Sequence, residues 1–314
     1  MVKLLWGTAL LIIIAILFIY ISIPGKIIFS KVTYLKSSKN SAHRFLSEEN
    51  NWKKWWPADL KNNASAISQS KYYFKNYSYT ITGRSDISVN IQISKGSDSV
   101  NSLLQIIPLL SDSIALKWNG FFHASNNPIK KIENYIAAKR MKNNMAEIIQ
   151  SAKSFLINDK NVYGLNIKKE SVKDTFLIST KITSDNFPST ETIYSLIHKL
   201  QKYVLLNNAV ETNSPMLNVT EDNGIYKTMV AIPINKEIAQ NDNFVFKKMV
   251  PGKILISEVT GGVFTARESL SKMSLYMEDY RLTSPAIPYE SLITNRMEEP
   301  DTSKWVTKIY YPVF

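Results

Sequence analysis

The chain has no cysteine in its 314 residues. Disulfides, thiolate metal ligands and cysteine nucleophiles are thereby excluded, while the redox compartment stays open. Histidine is almost as scarce: His43, His123 and His198 are scattered and offer little material for a zinc or iron site. No metal or cofactor is expected. There is also no Ser/His/Asp order with motif context and no glycine-rich loop to cradle a phosphate. No helix-turn-helix, zinc finger or aromatic–basic signature is evident, so nucleic acid is not an expected partner.

What is present allows real cores. Hydrophobic residues make up 45% of the chain, and the length suits about two domains. Residues 1–157 carry 20 Lys/Arg against 8 Asp/Glu, and residues 158–314 carry 18 against 18, so the whole net charge of +12 falls in the first half. Residues 4–23 form an apolar run of 20 with Trp6 and Tyr20 near its ends. That length crosses about 30 Å of hydrocarbon as a helix. A cleaved signal peptide is the rival reading, but Pro24-Gly25 follows in place of a small-residue cleavage site. An uncleaved transmembrane anchor is expected over residues 1–25. The lysines that follow it put the body in the cytoplasm and a basic face beside an anionic leaflet.

The last third sets the organisation. Lys253-Ile-Leu-Ile-Ser-Glu-Val-Thr alternates as a strand, Gly261-Gly262 turns, and residues 265–280 carry Leu270, Met273, Leu275 and Met277 at near-helical spacing. Two more strands follow, around Ser284-Pro-Ala-Ile-Pro-Tyr-Glu and Trp305-Val-Thr-Lys-Ile-Tyr-Tyr-Pro-Val. The same order appears earlier: a strand at residues 174–181, a helix at 190–206, and strands from Ser214 and Tyr226. Ser179 and Ser257 lie 78 residues apart, Pro233 and Pro312 lie 79 apart. Two βαββ units can join edges into one sheet, with helices on one face and a groove between them.

These paired units, the Gly-Gly-x-aromatic turn and the closing Trp-x-Thr-Lys-Ile-Tyr-Tyr-Pro-Val resemble the GyrI-like domain, also called the AraC-type effector-binding domain, over residues 158–314. The resemblance implies a groove between the repeats for small organic molecules, often cationic or flat, faced by a buried glutamate. The matching position is Glu290. Here Glu290-Ser291-Leu292 stands where the family often has Glu-x-Tyr. Tyr289, Trp305, Phe264 and Tyr226 are the expected aromatic walls, and Glu258 is a second, lower-ranked acid. A carboxylate among ring faces would attract an organic cation by charge and cation–π attraction.

Residues 27–35 read as a first strand and residues 41–49 as a short helix, followed by Asn51-Trp-Lys-Lys-Trp-Trp-Pro. Four strand-like runs follow, at 71–82, 87–94, 100–107 and 113–122. Pro128 opens a long helix to about Leu156, with Ile132, Ile136, Met141, Met145, Ile148, Ile149 and Phe155 near one face. This order resembles the helix-grip SRPBCC (START-like, polyketide-cyclase-like) fold over residues 26–157, which implies a cavity for apolar molecules or lipids. Residues 158–164 read as a short polar linker.

The expected architecture is therefore α+β: a transmembrane helix, a helix-grip domain, then a pseudo-twofold duplicated βαββ GyrI-like domain. The expected function is that of a membrane-anchored bacterial small-molecule-binding protein, capturing an amphipathic or cationic ligand in the C-terminal groove. The alternatives are a hydrolase or isomerase using Glu290 as general base, and lipid binding by the helix-grip domain.

Overall fold

The computed structural model describes residues 2–57, 67–68, 71–173 and 176–314. It divides the chain into two compact units, Met1–Asn158 and Asp159–Phe314. Both are α+β, each with one antiparallel sheet.

The first unit runs α1 (Val2–Ser22), β1 (Lys26–Lys36), α2 (Lys39–Ser47), α3 (Glu49–Trp52), β2 (Ile67–Ser68), β3 (Lys71–Phe74), β4 (Tyr77–Ser85), β5 (Ser88–Lys95), β6 (Asp98–Leu110), β7 (Ser113–His123) and α4 (Pro128–Leu156). Its strands lie in the order β1-β7-β6-β5-β4-β3-β2, a meander closed by the first strand pairing with the last. The expected single run at 71–82 is a hairpin, because Lys75 and Asn76 take positive φ values of 45° and 66° and reverse the chain. Asn127 caps α4 by accepting from the amides of Ile129 and Lys130, with Pro128 at the first helical position. From Ala138 onward α4 buries Met141, Met145, Ile148, Ile149, Ala152 and Leu156. Ile132 and Ile136, expected on the same face, stay largely exposed.

The tryptophan corner is core. Trp52 and Trp55 are buried, and Trp52 stacks on Trp56 with centroids 5.0 Å apart. Each indole N–H reaches a backbone carbonyl: Trp52 to Leu46 at 2.8 Å, Trp55 to Phe45 at 2.9 Å, Trp56 to Tyr73 at 3.0 Å. Those bonds let large rings fill the interior without stranding a polar atom.

The expected anchor needs correction. α1 is a helix of 21 residues, but among the described residues no helix is long and apolar enough to cross a membrane. Tyr20, expected as an interfacial ring, instead donates its hydroxyl to the Asn126 carbonyl, and the Lys131 ammonium lies 4.6 Å from its ring centre. The transmembrane helix over residues 1–25, the membrane as partner and the membrane location are withdrawn on this ground. Met1 lies outside the described residues.

The second unit runs α5 (Asp159–Tyr163), β8 (Lys168–Ser171), β9 (Phe176–Ser184), α6 (Thr190–Leu206), β10 (Met216–Asp222), β11 (Ile225–Ile234), β12 (Val245–Lys248), β13 (Lys253–Thr260), α7 (Val263–Asp279), β14 (Tyr289–Leu292) and β15 (Val306–Val313). Residues 174 and 175, placed in the first repeat's strand by sequence, lie outside the described residues. The sheet order is β12-β9-β11-β10-β14-β15-β13-β8. Thus β9-α6-β10-β11 and β13-α7-β14-β15 are the same motif twice, with β10 and β14 meeting at the seam. The seam is narrow: Met216 pairs with Ser291 and Leu217 with Glu290. Beyond it, Pro288 has no N–H to give, and Asn218 Nδ2 donates to its carbonyl at 2.9 Å instead.

Both helices lie on one face. α6 packs Ile193, Leu196, Ile197, Leu200 and Val204 on Ile178, Val230, Ile232 and Leu292. α7 packs Ala266, Met273 and Met277 on Leu255, Ile309 and Val313. The opposite face gathers Leu177, Met216, Ala231, Ile254 and Tyr289. The expected polar linker is helical turn α5, whose Tyr163 is buried and bonds Asp279 at 2.8 Å.

Candidate functional site

Strand alternation decides which residues of β14 face the helices. Leu292 packs under α6 and Tyr289 lies in the cluster on the other side, so Glu290 points to the helix face. There it forms part of a cavity of about 140 Å³ with Phe187, Val219, Glu221, Tyr226, Arg267 and Leu270. These come from the loop before α6, from β10, β11 and β14, and from α7, so the cavity draws on both repeats.

Glu290 is buried and paired. Arg296 Nη2 lies 3.4 Å from its Oε2, and both side chains are almost wholly enclosed, at 2% and 8% exposure for Arg296 and Glu290. The same Nη2 donates to Thr307 Oγ1 at 2.9 Å, and the guanidinium lies 5.0 Å from the Trp305 ring centre. The loop that carries Arg296 is held in place: its amide donates to Tyr194 Oη at 2.7 Å, and Trp305 Nε1 donates to the Glu299 carbonyl at 2.8 Å. Burial pushes the Glu290 carboxyl above its ordinary value, and the guanidinium groups of Arg296 and Arg267 pull it back. At 3.4 Å the pair is longer than a good charge-assisted bond of about 2.8 Å, and a buried acid depends on it.

The outer wall is aromatic and mixed in charge. Phe187 and Tyr226 meet edge to face at 5.8 Å, and Arg267 lies 4.9 Å from the Phe187 ring centre. A hydrogen bond with Glu221 raises the Tyr226 hydroxyl. Two carboxylates, Glu221 and Glu290, and one guanidinium group, Arg267, therefore line a space of about five water volumes, with Arg296 behind Glu290. A cationic head entering it reaches Glu290 by competing with Arg296, and ring faces wait at the wall for an apolar or flat body.

Of the residues expected from sequence, Glu290 and Tyr226 line this cavity, and Trp305 stands behind it through Arg296. Tyr289 is on the opposite face, stacked on Tyr310 with centroids 4.9 Å apart. Phe264 is 84% exposed in the first turn of α7 and outside the cavity wall. Glu258 faces away from the helices and pairs loosely with Lys308 at 3.7 Å. Sequence reasoning missed Arg296, Arg267, Phe187 and Thr307. A signal for Arg296 existed, since a buried acid needs a cation and residues 250–314 hold only three arginines: Arg267, Arg281 and Arg296.

The first unit has a separate cavity of about 820 Å³ along α4, lined by Tyr77, Phe122, Ile136 and Met141 together with charged residues that include Lys95, Asp98, Glu133 and Arg140.

No protein-family model matches the chain, and no curated protein matches it. Among solved structures, the EcmrR C-terminal domain is similar over 48% of this chain and 98% of its own, at 16% identity and a TM-score of 0.41. SAV2435 bound to tetraphenylphosphonium is similar over 48% of this chain and 94% of its own, at 15% identity and a TM-score of 0.32. The Aha1 dimer from Colwellia psychrerythraea covers 41% of this chain and 96% of its own, at 14% identity and a TM-score of 0.31. All three are remote likenesses, and no assignment of fold or function rests on them.

Proposed function

We propose that the second unit is a GyrI-like binding module that captures a small organic molecule in the helix-face cavity between its two repeats. The observation that carries this reading is Glu290: a buried acid at a cavity shared by both repeats, held by a long ion pair and faced by two aromatic rings. A flat or amphipathic cation fits these features best. Its charge takes the place of the guanidinium at the carboxylate, and its body lies on Phe187 and Tyr226.

Thermal unfolding of the full chain with tetraphenylphosphonium tests this, with wild type and Glu290→Gln each compared with its own ligand-free midpoint. At 100 times the dissociation constant the wild type should gain about 2.7 kcal/mol and the variant much less. An equal gain in both, or none in either, rejects the reading.

A second reading is favoured by the raised Glu290 carboxyl. An acid poised by burial can act as a general base toward a bound hydrolysable or isomerisable molecule. Turnover abolished by Glu290→Gln, with binding retained, would select it. In the first unit, the 820 Å³ cavity mixes apolar residues such as Phe122, Ile136 and Met141 with charged ones such as Lys95, Lys130 and Arg140, which favours an amphipathic lipid of the kind a helix-grip domain would hold. An organic extract of the purified chain that contains no lipid would count against it.

A further inference from the structure

The helix-free face of the second unit's sheet holds its own cavity, of about 190 Å³, beside the seam between the repeats. Its floor is made by strand residues that alternate away from Glu290: Leu177, Met216, Met229, Ala231 and Tyr289. Its walls are the segment after β12, with Met249 and Val250, and the loop before β14, with Ile287. Two of these wall residues stand unusually open for their type, Val250 at 64% and Ile287 at 51%. Apolar side chains rimming a hollow are what an apolar occupant would cover.

The charge around this hollow is one-sided. Among the described residues its lining contains Lys247 and Lys248 and no acid. Lys248 has a partner, Glu237 at 3.4 Å. Lys247 stands opposite Leu177 in the ladder and so faces the hollow, and its Nζ meets Met229 Sδ at 3.0 Å. A thioether is a weak acceptor. Partial burial and the nearby Lys181 ammonium both push the Lys247 amine below its ordinary value, burial being the larger cause. The other polar groups of the lining are already engaged: Ser179 Oγ donates to the Val245 carbonyl and Asn218 Nδ2 to that of Pro288. Among the described residues the Lys247 ammonium has no oxygen partner, and a carboxylate placed at the mouth would give it one and relieve the repulsion from Lys181.

We propose that this cavity is a second small-molecule site, taking a short apolar carboxylic acid with its chain against Met216, Met229 and Tyr289 and its carboxylate on Lys247. The volume sets the size, since about 190 Å³ amounts to roughly six water volumes, room for a chain of six to eight carbons. This site is independent of the helix-face cavity and stands or falls separately from it.

Saturation-transfer NMR with octanoate on the full chain provides the test, with 1-octanol and octyltrimethylammonium as neutral and cationic controls. Octanoate should bind saturably and bind at least tenfold more tightly than either control. Lys247→Gln, a change at an exposed edge-strand position, should weaken octanoate about tenfold and leave octanol unchanged. Ala231→Leu, which fills the floor, should abolish octanoate binding, while Glu290→Gln should leave it intact. The proposal is overturned by absent saturation, by octanol binding as well as octanoate, or by equal octanoate affinity in wild type and Lys247→Gln. Loss of octanoate binding in Glu290→Gln would place the acid on the other face and overturn it too.

Discussion

Replacing Arg296 by Met removes the cation that a buried acid leans on, while keeping an unbranched apolar body in its place. The pair sits at 3.4 Å with 2% and 8% of its side chains exposed, so solvent cannot take over the role of the guanidinium. Removing one partner of such a pair costs about 3–5 kcal/mol when the other charge stays buried. For a unit of this size that corresponds to a midpoint lowered by roughly 6–20 °C. The lost bond to Thr307 Oγ1 adds about 1 kcal/mol. The cost should also depend on pH, with a definite sign. Because its folded pKa is raised, Glu290 binds its proton more tightly in the folded than in the unfolded protein. Its contribution is fully present below the unfolded value, near 4.5, and is lost as pH rises through the folded value. In Arg296→Met that folded value moves higher still, because Arg296 supplies two of the three influences holding it down. The falling limb then extends to higher pH, at about 1.4 kcal/mol for each added unit of separation. Calorimetry of wild type and Arg296→Met at pH 4.5 and pH 8 should show the gap between them widening at the higher pH. The double variant Glu290→Gln/Arg296→Met should recover most of the loss at pH 8, since an apolar or neutral replacement of both partners removes the stranded charge. A gap that is the same at both pH values, or under about 1 kcal/mol at pH 8, would mean that Arg296 is not what neutralises Glu290.

Two substitutions test the frame that presents the site. Gly261 has φ 144°, and a Cβ there would stand 2.5 Å from Thr265 Oγ1. Gly261→Ala should therefore cost about 1–3 kcal/mol and loosen the start of α7, whereas Gly252→Ala, with nothing within 4 Å, should be nearly neutral in the same melting experiment. Asn127→Ala removes the side-chain acceptor for two amides at the start of α4, and should lower the stability of the first unit by about 1 kcal/mol in urea unfolding.

Much of the second unit is legible because its signals are local. The helix expected at residues 190–206 is α6, where Ser189 caps and the apolar spacing is regular. The helix expected at 265–280 is α7, which starts two residues earlier and ends one earlier. The strand expected from Ser284 is only four residues long, because Pro285 and Pro288 deny it amide donors and the chain enters the sheet at Tyr289. The hairpin at Lys75-Asn76 was hidden inside a run of β-forming aromatics, where a type-determining positive φ leaves little trace in composition. The linker failed for a different reason. Its polar composition was correct, but Val162 and Tyr163 are buried by contacts with α7, which lies more than a hundred residues away. The anchor fails as well: the apolar composition of residues 4–23 is plain, but among the described residues no helix is long and apolar enough to cross a membrane.

The site shows where local reading stops. The repeat pattern places Tyr289 and Glu290 in one groove, yet neighbours on a strand face opposite ways. Tyr289 stacks on Tyr310 on the helix-free face, while Glu290 lies under the helices beside Arg296. Arg296 belongs to a loop whose composition reads as solvent-facing: Asn295, Glu298, Glu299 and Asp301 surround it. It is buried because Tyr194 of α6 accepts its amide and Thr307 of β15 accepts its guanidinium. One partner comes from each repeat. The charge that makes Glu290 tolerable inside the protein thus exists only once the two repeats have met at β10 and β14. No window of sequence containing Glu290 alone carries that information, and the pairing of the repeats is itself what creates the site.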